Sequence, residues 1–249
     1  MKNLLIYTGP NKKFDQEHEV LARIQIDNSL DLGWKREDIL LATNFPYLYN
    51  GVSSLLVPDK LYYEFDLAAS KLPVVIYLIK QGFIGADELC WCHDFDAYEL
   101  NSISEAELGL DDFDLGLVPY FYKPQWQFCS FFFKKSAKDV FELLDRTIRA
   151  RPYASRNNEK TLTRLIGEDV IKADRYKKLN VTYGIAKRCL ATVYREASKP
   201  LKVLHFLPSN YDKLMPDTAL NMFMYGKNNL KMPLMNERLT KIFKYHGIK

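Results

Sequence analysis

The chain has 249 residues, 47% of them apolar and 27% charged, which are the proportions of a folded globular domain and exclude a disordered chain. The formal net charge, 35 − 31 = +4, is too small to mark a nucleic-acid surface, so no nucleic-acid partner is expected. No run approaches 18 consecutive apolar residues, which excludes a membrane-crossing helix, and four cysteines are too few for a disulfide scaffold and point to a reduced, cytoplasmic setting.

In chain order, Leu4–Tyr7 is a short apolar run stopped by Thr8-Gly9-Pro10, the pattern of a buried strand entering a turn. From Asp15 to Leu32 the apolar residues Val20, Leu21 and Ile24 recur at helical spacing, and Gly33 supplies a stop. Ile39–Ala42 is a second strand. Residues 43–63 read as a long aromatic loop, and a loop of that length in a compact domain tends to be functional. Pro73–Gln81 reads as a helix, with Pro in its first turn and Gly82 after its end. Glu88–His93 is a third strand. This alternation predicts a single α/β domain, Rossmann-like, with a mostly parallel central sheet flanked by helices. Ligands of such sheets bind outside the carboxyl ends of the strands. Thr8-Gly9-Pro10 and His93-Asp94-Phe95-Asp96 fall there.

Further on, Phe128–Lys134 is an aromatic strand. Ala137–Arg149 is an amphipathic helix with Ser136 as its expected cap, and Asn158–Ile166 begins another. Leu201–Leu207 is a last strand. Residues 206–249 hold seven Lys/Arg and three Asp/Glu, so this tail (7 − 3 = +4) carries the whole net charge. Met235, Leu239, Ile242 and Phe243 lie on one helical face of the tail. Such a basic amphipathic segment either docks on its own domain, the preferred reading, or makes peripheral contact with an anionic membrane surface.

The chemistry is densest at Asp94 and Asp96. Two carboxylates one residue apart at a strand end can converge on one hard divalent cation, which takes one or two carboxylates plus substrate phosphates. His205, on the last apolar strand, adds an imidazole if that strand lies near the third. An N,O,O set around an octahedral ion suits Mn²⁺ better than Ca²⁺. His18 and His93 have no evident partner, although His93 is placed to orient a metal ligand. Cys90 and Cys92 read as core, and Trp126 and the Tyr120–Tyr122 cluster as core or a sugar-stacking surface.

Four elements in one order resemble the GT-A fold glycosyltransferases, and within them the glycogenin and galactosyltransferase type. Ser70-Lys71-Leu72 resembles the element whose lysine reaches the donor. Asp94-Phe95-Asp96 resembles the DxD metal motif. Asn158-Glu159, followed by Leu162, resembles the acidic element near the donor sugar. His205-Phe206 resembles the third metal ligand, with Lys213 downstream as a diphosphate contact. The resemblance implies a GT-A domain with a nucleotide-sugar half (1–110), an acceptor half (111–205) and a basic tail (206–249). It implies transfer of a sugar, with retention, from a nucleoside diphosphate sugar to a hydroxyl of a carbohydrate or lipid-linked acceptor. Asp94, Asp96 and His205 would hold Mn²⁺ or Mg²⁺, Lys71 and Lys213 would face the diphosphate, Thr8 and Gly9 the nucleoside, and Glu159 or Asn158 the sugar. Two alternatives remain open: a haloacid-dehalogenase-type phosphatase with Asp94 as nucleophile, and a carbohydrate-binding module without catalysis.

Overall fold

The structure, a computed structural model, describes residues 1–64, 70–120, 125–151, 157–186, 193–205 and 237–248. Lys213, the end of the last expected strand at Phe206–Leu207, Tyr122, Cys189 and Met235 lie outside the described residues.

The first half alternates as its sequence dictates. β1 (Lys2–Tyr7) leads to α1 (Gln16–Asp31), β2 (Ile39–Thr43), the hairpin β3 (Leu48–Tyr49) and β4 (Val52–Leu56), then α2 (Lys71–Lys80), β5 (Cys90–His93) and β6 (Ala97–Glu99). After the short α3 (Glu105–Leu108) come β7 (Leu115–Pro119), β8 (Trp126–Phe133), α4 (Lys138–Arg149), α5 (Asn158–Gly167), β9 (Tyr176–Lys178), β10 (Ile185–Ala186), β11 (Val203–His205) and α6 (Glu237–Tyr245). The large sheet runs β3-β4-β2-β1-β5-β8-β7-β9, and β10-β11-β6 form a second, small sheet. The large sheet is parallel across β4-β2-β1-β5 and at β7-β9, while β8 is antiparallel to both its neighbours. From β1 the chain builds first toward β2 and later, on the other side, to β5. That reversal opens a crevice outside the carboxyl ends of β1 and β5.

Helices cover both faces. Leu5, Leu41, Trp91 and Phe132 pack toward α1 in one apolar cluster. Leu4, Ala42, Cys90, Cys92, Phe131 and Phe133 point the other way, toward α2 and α4. Strand β5 is therefore buried at every position, which is why Cys-Trp-Cys-His reads as a continuous apolar run. Cys90 and Cys92 are free thiols in that core, and burial pushes the Cys92 thiol up to about 12.

Two local expectations are corrected. Residues 43–63 are not one loop. Asn50 and Gly51, with φ of 47° and 80°, form the tight turn of the β3–β4 hairpin, a turn in which both central residues need positive φ. Ser136 does not cap α4. Its hydroxyl donates to Asp114, and a 3-10 turn over Lys135–Ala137 starts the helix instead. The last strand comes near the third, as the expected meeting of His205 with the acid pair requires, by pairing antiparallel with β6 in the small sheet.

The basic terminal helix is docked. Leu239, Ile242 and Phe243 are buried, and the Phe243 ring meets Tyr98 edge-on at 5.0 Å. Arg238 donates from Nη1 to Asn28 Oδ1 at 2.6 Å and from Nη2 to the Glu99 carbonyl at 3.2 Å. His246 Nε2 lies 2.8 Å from Asp27 of α1. Among the described residues, no helix is long and apolar enough to cross a membrane.

Candidate functional site

The end of β5 delivers Asp94 directly into the crevice. The turn that follows is fixed from both sides: Asp94 N donates to the Cys129 carbonyl at 2.9 Å, and Ala97 N donates to the Asp94 carbonyl at 3.0 Å. His93 braces the same turn. Its Nδ1 is 3.0 Å from the Asp94 carbonyl and its Nε2 is 2.7 Å from Asn3 Oδ1, while the ring stacks on Trp91 at 3.8 Å. Burial lowers the His93 imidazole to about 3, against the pull of the neighbouring backbone carbonyls. His93 therefore touches the acidic turn through its backbone, a partner that sequence reasoning did not supply.

His205 reaches the acid pair through sheet register. β6 starts immediately after Asp96, and its pairing with β11 sets His205 opposite Ala97. His205 Nε2 consequently lies 3.1 Å from Asp96 Oδ1. Asp94, Asp96 and His205 each offer a ligand atom, all within 4.8 Å of one another. Two carboxylate oxygens and one imidazole nitrogen at that spacing fit a divalent ion of the Mg²⁺ or Mn²⁺ class.

Lys71, the first residue of α2, completes the charge balance. It is buried, and its ammonium is 2.5 Å from Asp94 Oδ1 and 2.7 Å from the Phe128 carbonyl. Burial, with the neighbouring Asp96 carboxylate, holds Asp94 above the usual carboxylate range against the pull of Lys71. Burial works in the same sense on Asp96, but the facing His205 prevails and holds Asp96 below it.

Glu159 is tied into the same wall. Its carboxylate accepts from Tyr120 Oη at 2.7 Å, from Gln125 Nε2 at 2.8 Å and from Phe128 N at 3.2 Å. Phe128 thus binds Glu159 through its N–H and Lys71 through its carbonyl. Asn158 is buried at the start of α5, where its Oδ1 accepts from Glu159 N at 3.0 Å, and the capping role falls to Asn157. Trp126 packs edge-on against Tyr176 at 5.4 Å.

A cleft of about 320 Å³ runs from Lys71, Asp94 and Asp96 to Thr8, Tyr7 and His18. Thr8 lines it, with its hydroxyl donating to the Leu61 carbonyl at 3.2 Å. Gly9 is held by one side chain: Asn44 accepts from its N–H at 3.2 Å and donates to its carbonyl at 2.9 Å. His18 has a partner after all, Asp15, three residues earlier. An Asp-x-x-His at a helix start is the sequence signal that marks such a pair.

No protein-family model matches the sequence, and no curated protein sequence matches it. Solved structures do match the fold. The galactosyltransferase LgtC in complex with donor and acceptor sugar analogues superposes with a TM-score of 0.59 at 11% identity, over 98% of this chain and 96% of that one. The glycosyltransferase GlyE of Streptococcus pneumoniae gives 0.57 at 11% identity, over 98% of this chain and 64% of that one. A glycosyltransferase involved in glycosylation of the major capsid of PBCV-1 gives 0.54 at 11% identity, over 82% and 93%. The chain has the GT-A glycosyltransferase fold, and Asp94-Phe95-Asp96 is a DxD-like motif directly after β5.

Proposed function

We propose that the protein is a divalent-metal-dependent glycosyltransferase that moves a sugar from a nucleoside diphosphate sugar to the hydroxyl of a carbohydrate or lipid-linked acceptor. The observation that carries this reading is the convergence of Asp94, Asp96 and His205 within 4.8 Å at the crevice of a GT-A fold. In this reading these three side chains hold Mn²⁺ or Mg²⁺, which when bound supplies Lewis acidity to the phosphate oxygens. The bond that breaks joins the anomeric carbon to the diphosphate, and the departing diphosphate gathers negative charge. Lys71 sets a fixed positive charge beside that anion, and Lys213 is assigned to the same task. Thr8 and Gly9 border the nucleoside. Glu159, oriented by three donors, and Asn158 face the sugar. Residues 1–110 then carry the donor and 111–205 the acceptor, and the course of transfer is assigned as retaining.

The phosphatase alternative gains no support, because the fold likeness is to glycosyltransferases. The test is a thermal-shift series with nucleoside diphosphates, with and without Mn²⁺. A ligand that binds only the folded state raises its melting temperature, and the expected rise requires both components. A rise with phosphomonoesters alone, or none with any nucleotide, overturns the reading.

A further inference from the structure

Lys71 opens α2, so whatever fixes the start of that helix also fixes where its ammonium can reach. Ser70 stands at the N-cap, where a serine ordinarily turns its hydroxyl to accept from an N–H of the first turn. Here it makes no such bond. The Ser70 hydroxyl accepts from Tyr63 N at 2.8 Å, and both residues are buried. The helix start is thereby tied to Tyr63. Two residues before Tyr63, the Leu61 carbonyl accepts from Thr8 of the cleft at 3.2 Å.

Tyr63 is itself clasped by α4. Its hydroxyl donates to Asp145 Oδ1. Asp145 pairs with Arg149 one turn on, with Nε at 2.9 Å from Oδ2, and the Arg149 guanidinium lies over the Tyr63 ring, 4.7 Å from its centroid. Burial, with the Asp145 carboxylate, pushes the Tyr63 phenol up, so the hydroxyl remains a donor. The clasp is anchored on firm ground, because α4 and α2 share one apolar cluster, through Phe141 and Leu144 on one and Leu72 and Val75 on the other. Neither Tyr63 nor Asp145 lines the cleft.

We propose that Tyr63, clasped by Asp145 and Arg149, is a positioning residue for Lys71: it fixes Ser70 and the start of α2, and so sets the ammonium where it meets the diphosphate of the donor. The inference rests on the nucleoside diphosphate reading of the cleft. Lys71 is held at Asp94 Oδ1 and the Phe128 carbonyl, so it has little slack with which to follow a displaced helix start. A displacement of about 1 Å caused from outside a site costs up to about a hundredfold where function depends on alignment.

Calorimetric titration with Mn²⁺ present tests it, with UDP, GDP, ADP and CDP offered to the full chain and the tightest of the four carried forward. Tyr63→Phe keeps the buried ring and removes the bond to Asp145, and should weaken nucleotide binding by about tenfold. The same change in the Lys71→Met background should cost less than about twofold, because the group it positions is gone. A residue that serves only the fold would lower affinity by the same factor in both backgrounds. Asp145→Ala opens the clasp from the α4 side without touching the ring, and should reproduce both results if Tyr63→Phe folds poorly. Unchanged binding in the folded clasp variant, or an equal loss with and without Lys71, overturns the assignment and leaves the glycosyltransferase reading standing. Failure of all four nucleotides to bind the unaltered chain overturns both.

Discussion

The ammonium of Lys71 lies 2.5 Å from Asp94 Oδ1, so the first aspartate of the acid pair is ion-paired with a buried lysine. Lys71 is the counter-charge of Asp94 in the wall of the cleft. It must share Asp94 with an arriving divalent ion, and its other partner, the Phe128 carbonyl, keeps it in the wall while it does so. Lys71→Met should therefore lower stability in the absence of metal. Asp94 is about one-third exposed at its side chain, which discounts the loss to about 1–2 kcal/mol. Mn²⁺ should raise the melting temperature of this variant more than that of the unaltered protein. An equal rise would show that ammonium and ion do not compete for Asp94.

Asp96→Ala and His205→Ala each remove one donor of the proposed metal set. Transfer should fall by at least about a hundredfold in each, with the far-ultraviolet circular dichroism unchanged. Turnover at the original rate in either variant would remove that residue from the metal set.

Glu99 gives a pH dependence away from the cleft. Burial raises its carboxyl to about 7, although Trp34 Nε1 and Ile103 N donate to it. The folded chain thus holds this proton more tightly than the unfolded chain, whose glutamate titrates near its ordinary value. The contribution of Glu99 to stability is greatest in acid, declines from about pH 4.5 to about pH 7, and is level above. The span is at most about 3 kcal/mol. Urea denaturation of Glu99→Gln across this window should show a flatter profile than the unaltered chain, and a parallel profile would exclude Glu99 as the source.

Gly51→Ala tests the hairpin that sequence periodicity did not reveal. Gly51 has a φ of 80°, and an added Cβ would lie 2.8 Å from Arg36 Nε. A loss of about 1–2 kcal/mol in chemical denaturation is expected, with nucleotide binding unchanged. An unaltered midpoint would mean that the turn relaxes freely.

Much of this architecture could be read from the residues. β1, α1, β2, β5 and β8 announce themselves through runs and spacings set by local geometry, and Asp94 and Asp96 stand out because charge rarely follows a buried strand without a task. Other features depend on pairing between distant segments. His205 is only an isolated imidazole until β11 aligns with β6, and that register is absent from any short window of sequence. Glu159 looks like one more helix-start carboxylate until Tyr120, Gln125 and Phe128 close around it. The β3–β4 hairpin was legible in Asn50-Gly51 but was hidden among the aromatic residues around it. The Asp15–His18 contact needed only a spacing of three.

The docking of α6 on α1 has a consequence for biosynthesis. Arg238 and its acceptor Asn28 are 210 positions apart, so α1 leaves the ribosome long before the helix that braces it. During that interval Asn28 has no arginine to bind, and the patch that will receive Leu239, Ile242 and Phe243 is open to water. The docking of Leu239, Ile242 and Phe243 is therefore a late step of assembly, made after α1 and the sheet it packs on have been synthesised.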